Sequence, residues 1–125
     1  MKILRRIHPL LTLPFLGLIL LPHSGAAEDA AKPTFADNVF PILEAKCVNC
    51  HNTDEAKGGL DLASYSATMT GGSGGAVVIS EDPKASRLFT LSAHIEEPVM
   101  PPKGTKMTEA ELKILSDWIA GGLLE

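Results

Sequence analysis

Both cysteines of this chain fall in one stretch, "ILEAKCVNCHNTDEAKGGLDL", residues 42–62, as Cys47 and Cys50 with His51 directly behind them. Nothing else in the sequence constrains the fold as strongly. Two thiols two residues apart, followed at once by an imidazole, have to be satisfied by one chemistry, and each candidate chemistry demands a different scaffold. A disulfide between Cys47 and Cys50 closes so short a loop that it restrains little of the unfolded chain, and it leaves His51 unexplained. A thioredoxin-like redox pair sits at a helix start after a buried strand, within a βαβ unit. Here a helical pattern precedes Cys47 instead. Structural zinc needs four ligands in a tetrahedron; Cys47, Cys50, His51 and His94 would have to supply them, and adjacent Cys50 and His51 are awkward as joint ligands.

The remaining reading of C-x-x-C-H is covalent attachment of c-type haem. Two thiols add across the two vinyl groups of the porphyrin, and the two-residue gap matches their spacing. The histidine behind the second cysteine then falls under the iron as proximal ligand. Cys47 and Cys50 are therefore the expected thioether residues and His51 the expected iron ligand, with one haem c as cofactor.

Attachment of this kind takes place outside the cytoplasm, and the N-terminus agrees. Lys2, Arg5 and Arg6 precede an apolar run from Leu10 to Leu21, and "PHSGAA" offers small residues for cleavage after Ala26 or Ala27. Residues 1–27 read as a cleaved secretory signal peptide. Its apolar run is shorter than the roughly 20 residues a spanning helix needs, so no membrane insertion is expected after cleavage. Residues 28–33 read as a short flexible leader and 34–125 as one domain. The expected location is periplasmic or otherwise secreted. All 15 Asp and Glu lie beyond the signal, whereas three of the 11 Lys and Arg leave with it. That acidic excess argues against nucleic acid as a partner.

Periodicity places helices along the domain. Phe35, Val39, Ile42 and Leu43 share one face behind Thr34 as N-cap, with a kink or restart expected at Pro41. Leu60-Asp61-Leu62 alternates as a short extended segment, Ser64–Thr70 reads as a short helix, and "AVVI", 76–79, as another extended piece. "GGSGG", 71–75, lacks the ending of a phosphate-binding loop and reads as a turn or a close backbone approach. Asp82 and Pro83 start a helix whose Leu88, Leu91 and Ile95 face inward. Thr108 and Glu111 form a capping box ahead of Leu112, Leu115, Trp118 and Ile119, and Gly121 is the expected stop. Phe35, Val39, Leu60, Leu62, Leu88, Leu112, Leu115 and Ile119 are the expected apolar wall of the haem and the helix contacts.

A carrier-type cytochrome uses methionine as its second iron ligand. The candidates are Met69, Met100 and Met107, with His94 as a rival. Met69 and Met107 sit where packing roles are expected. Met100 differs, because Pro98, Pro101 and Pro102 stiffen the loop around it. It is the preferred ligand; the bland reading of His94 is an exposed histidine near Glu96 and Glu97.

Taken together and in order, "FADNVFPILEAKCVNCHN", "KGGLDL", "GGSGGAVVISEDPKASRL", "EEPVMPPKG" and "MTEAELKILSDWIAGG" resemble the planctomycete-type cytochrome c domain, within the class I cytochrome c superfamily. The resemblance runs from about Phe35 to Gly122. It implies an all-α fold of class I cytochrome c type, with long loops around one covalently bound haem. It also implies thioethers at Cys47 and Cys50, a proximal His51, a distal Met100, and first and last helices that cross near one haem edge. In that family the domain often heads longer proteins, and no function of such an attached part is carried over. The expected function is that of an extracytoplasmic monohaem c-type cytochrome passing single electrons between redox partner proteins, with no acid, base or nucleophile and so no enzyme activity. Two alternatives are a haem sensor or small peroxidase with an open sixth site, and a non-haem disulfide or zinc module.

Overall fold

A computed structural model describes residues 31–125. The signal peptide assigned to 1–27 and residues 28–30 of the leader lie outside the described residues. The regular structure is helical, set among long loops, and no strand forms among the described residues. A π-helical turn, Phe35–Val39, runs directly into α1, Phe40–Lys46. Then follow α2, Tyr65–Thr70, α3, Arg87–Ser92, and α4, Glu109–Ala120, with single 3₁₀ turns at Lys57–Gly59 and Pro83–Ala85. None of these helices is long and apolar enough to cross a membrane.

Local chemistry accounts for most of the boundaries. Thr34 caps the first turn by accepting from the Asp37 N–H. The restart expected at Pro41 takes a definite form: the Phe40 N–H reaches back five residues to Phe35 O, and the α register begins at that junction. Proline at the start of α1 gives up only a donor that a helix start leaves unused. Thr108 and Glu111 do form the capping box, with Oγ1 accepting from Glu111 N at 3.2 Å and the carboxylate accepting from Thr108 N at 2.7 Å.

Two expected boundaries move. The helix predicted from Asp82 through Ile95 breaks in two at Ser86, which adopts an extended conformation (φ −90°, ψ 109°). Its buried hydroxyl donates to Asp82 O and accepts from Ile79 N, a local alternative to the helical ladder. Beyond Ser92 the chain turns at His94 (φ 58°), so Ile95 is 71% exposed and not inward-facing. α4 stops where expected, at Gly121, and the left-handed residue of the reversal is Gly122 (φ 99°).

The core lies where the first turn meets α4. Trp118 is fully buried, and the Phe35 ring sits 5.7 Å from it, 5.6 Å from Tyr65 and 5.9 Å from Phe40. Leu43, Leu115 and Ile119 fill in around them. Two carbonyls close this end: Leu124 O accepts from Trp118 Nε1 and Phe35 N, and Leu123 O from the Tyr65 hydroxyl. Met107 is buried in the same core and Met69 packs against it, as expected of packing methionines.

The other half of the molecule is loop packed on loop. Ser73 N donates to Gly58 O at 2.8 Å, so the 57–59 turn and the 71–75 loop meet backbone to backbone. A Cβ at Gly72 would come to 2.8 Å of Gly58 O, which real side chains do not tolerate, whereas one at Gly74 would meet only Arg87 Nη1 at 3.9 Å. Gly72→Ala is therefore expected to destabilise the mature protein by about 1–3 kcal/mol through overpacking. Gly74→Ala is expected to change little. Denaturant midpoints of the two variants check the contrast.

Candidate functional site

α1 ends at Cys47, but the chain keeps turning. Cys50 N and His51 N both donate to Cys47 O, at 3.1 and 3.0 Å. The second of these is an i,i+4 bond, which sets Cys47 and His51 on one face, one turn apart. Asn52 locks the exit: its Nδ2 donates to Val48 O at 2.7 Å, and its Oδ1 accepts from Asp54 N and Glu55 N. His51 O then accepts from Leu62 N, joining this turn to the buried Leu62.

Cys47 and His51 open onto a cavity of about 190 Å³ that Met100 also lines. Leu60, Leu62, Leu88 and Leu91 supply its apolar sides. Gly58, Gly72, Gly74 and Gly75 line another side, and Lys57 and Arg87 are its cations. Three of the four residues singled out from the sequence thus gather at one cavity from two distant segments. Cys50 does not line it. It is half-buried at the margin, its Sγ 3.9 Å from Lys57 Nζ.

Of the residues expected as haem wall and helix contacts, Leu60, Leu62 and Leu88 line the cavity, while Phe35, Val39, Leu112, Leu115 and Ile119 make the helix contacts of the core, to which Leu62 and Leu88 also belong. The glycine side was not foreseen as a wall, although "KGG" and "GGSGG" were its visible signal. His94 stays outside: it is exposed, and its Nε2 lies 3.1 Å from Met100 O.

Met100 is held by its own backbone. Its N–H donates to Leu91 O at 3.1 Å, which fastens the proline-rich loop to the end of α3. Glu96 adds a second fastening, accepting from Thr90 Oγ1 at 2.9 Å and pairing with Arg87 Nε at 3.3 Å.

The chemistry of the walls suits a flat, largely apolar group held by sulfur and nitrogen. His51 Nδ1 is buried without a hydrogen-bond partner, and an orphan of that kind costs about 1–3 kcal/mol. Such a ring is placed for a ligand rather than for the stability of the bare chain. Among the described residues no carbonyl accepts from Nδ1. A Cβ at Gly58 or Gly75 would meet no atom within 4 Å, so these positions leave bare backbone along the wall. The donor set present, the Cys47 and Cys50 thiols, the His51 ring and the Met100 thioether, is of the chemical kind that could hold a haem. The two sulfurs are free thiols, not a disulfide. Among the described residues no group of three His, Cys, Asp or Glu side chains is placed to hold a metal ion by itself.

Burial pushes the Cys47 thiol up from its ordinary 9.0 to about 11, against a smaller opposing pull from Lys46. The neutral thiol is thus favoured in the folded chain. Its contribution to stability is complete below pH 9 and is lost as pH rises toward 11. In the thiol form, the denaturant midpoint is expected to fall across that window, and Cys47→Ala is expected to remove this part of the fall.

Comparison with known proteins agrees with this picture of the site. No curated protein and no solved structure matches the chain. One family model does, described as Planctomycete cytochrome C, over residues 47–104. The match begins at the first cysteine and contains His51, both glycine segments, α3 and the Met100 loop. Residues 47–104 of this chain therefore match the planctomycete-type cytochrome c family, which supports a haem-binding domain of c type here.

Proposed function

We propose that this chain is an extracytoplasmic monohaem c-type cytochrome of class I type, ligated by His51 and Met100, that carries single electrons between redox partner proteins. The observation that carries the proposal is the convergence of Cys47, His51 and Met100 on one apolar cavity, inside the segment that matches the cytochrome family. A c-type haem supplies an iron that alternates between ferric and ferrous states.

The chain's own residues do the rest. Cys47 and Cys50 would hold the group at the end of α1, and the i,i+4 turn that carries Cys47 puts His51 on the same face, where its ring would serve as a ligand. Leu60, Leu62, Leu88 and Leu91 exclude water, which disfavours net charge at the centre. Met100 offers a thioether, a weak ligand that has to be pre-positioned, and its loop is pinned by the Leu91 carbonyl. Thioether sulfur favours the reduced state more than a second imidazole does, so the potential is expected to lie above that of a two-histidine centre. No hydrolytic or acid–base step is required of any side chain.

Covalent attachment is tested on protein exported and matured in a host with the attachment machinery. The denatured protein is expected to keep its colour and to exceed the peptide mass by one haem. Replacing either Cys47 or Cys50 weakens the linkage, and replacing both abolishes it. Haem released by acid and organic solvent from the native sequence would refute the proposal.

Ligation is read from the weak charge-transfer band of ferric iron bound to thioether. Met100→Ala is expected to lose the band, lower the reduction potential and admit carbon monoxide or cyanide. Met69→Leu and Met107→Leu, which conserve volume, are expected to leave it. A native protein that lacks the band and binds carbon monoxide readily has an open sixth site, and the sensor or peroxidase reading then replaces the electron carrier.

A further inference from the structure

We infer that His94 is a positioning residue for Met100: its ring holds the Met100 carbonyl and so keeps the thioether turned into the cavity. The inference rests on Met100 as an iron ligand.

Three observations carry it. The backbone of Met100 is gripped on both sides, its N–H by Leu91 O at 3.1 Å and its carbonyl by His94 Nε2, also at 3.1 Å. Both anchors belong to the same helix end, so the residue is clamped to α3. The second observation is the conformation of His94. α3 closes with Ile95 N donating to Thr90 O and His94 at a left-handed φ of 58°. That position in a helix cap is the usual place of glycine or asparagine, because a Cβ is unfavourable there. Glycine would make the cap at lower cost, and the one thing it lacks is the ring that reaches Met100. The third is exposure. The histidine lies on the surface, outside the cavity and outside the core, so neither packing nor direct ligation accounts for it.

The clamp acts through the backbone. A carbonyl held by Nε2–H fixes the peptide plane on the C-terminal side of Met100, as Leu91 fixes the plane before it. With both planes fixed, the side chain has only its own torsions left to explore. Losing one anchor lets the loop swing and takes the sulfur away from the cavity for part of the time.

The test uses the haem-loaded protein. Two quantities are read: the iron–thioether charge-transfer band, and the rate at which cyanide binds the ferric protein, which depends on how often the sixth position opens. His94→Gly is expected to bind cyanide about tenfold faster, the factor that one hydrogen bond of ordinary net strength holds back. Its melting temperature is expected to hold or rise, because glycine suits the cap better. A purely structural role would move the two readings together, toward faster binding and lower melting. His94→Gln, a donor of similar reach, is expected to restore the native rate. If His94→Gly does not accumulate, His94→Asn carries the same expectation, since asparagine tolerates the left-handed backbone but is too short to reach Met100. A native cyanide rate in His94→Gly or His94→Asn overturns the inference and leaves Met100 as the ligand. A native protein whose band is missing, or survives Met100→Ala, overturns the ligand reading and this inference with it.

Discussion

The contact of Phe35 with Trp118 is what the rest of the structure depends on. It fastens the first helical turn to the last helix, and the chain between them is largely loop. Trp118 is fully buried, and its indole N–H and the Phe35 N–H share one carbonyl acceptor at Leu124. Tyr65 packs on the same ring from α2. With that end closed, the direction of α1 is set, and α1 delivers Cys47 and His51 to their cavity. The Lys46–Glu111 pair at 3.4 Å supports the same geometry from the surface, joining the end of α1 to the start of α4.

The cavity half is built on a different principle. It has little regular structure, and its order comes from single hydrogen bonds between loops: Ser73 to Gly58, Leu62 to His51, Leu88 to Val77, Met100 to Leu91. Each is worth only about 1 kcal/mol net. Such a scaffold is reasonable where a large rigid group is expected to sit among the loops and join them. Haem in this cavity would meet α1 through the cysteine turn, α3 through Leu88 and Leu91, and the glycine loops on another side.

What was legible in the sequence was what local chemistry decides. Thr34, Asp82 and Thr108 cap the turns and helices they precede because capping involves residues two or three apart. The candidate site was legible because C-x-x-C-H and a proline-bracketed methionine are local patterns too. The apolar wall was half legible. Periodicity reports which residues leave water but not which of them also border a cavity, so Leu62 and Leu88, which do both, read the same as Phe35, Leu115 and Ile119, which lie in the core alone. The break at Ser86 was hidden because it depends on a hydroxyl finding Ile79 N, a contact made by the fold. Ile95 read as inward because a histidine at a left-handed cap is not the residue that announces a helix end.

The glycine wall has a consequence for how the protein tolerates change. In the aromatic half, stability rests on volume, and the damaging substitutions are those that take atoms away. Along 58–59 and 71–75 the wall is mostly main chain, and Ser73 carries the one side chain there. Harm comes to it mainly by addition, from a residue that carries a Cβ into the space between the two loops. The two halves of one small domain therefore fail in opposite directions. A variant library would show depletion of small residues at Phe35 and Trp118, and of everything larger than glycine at Gly59, Gly71 and Gly72.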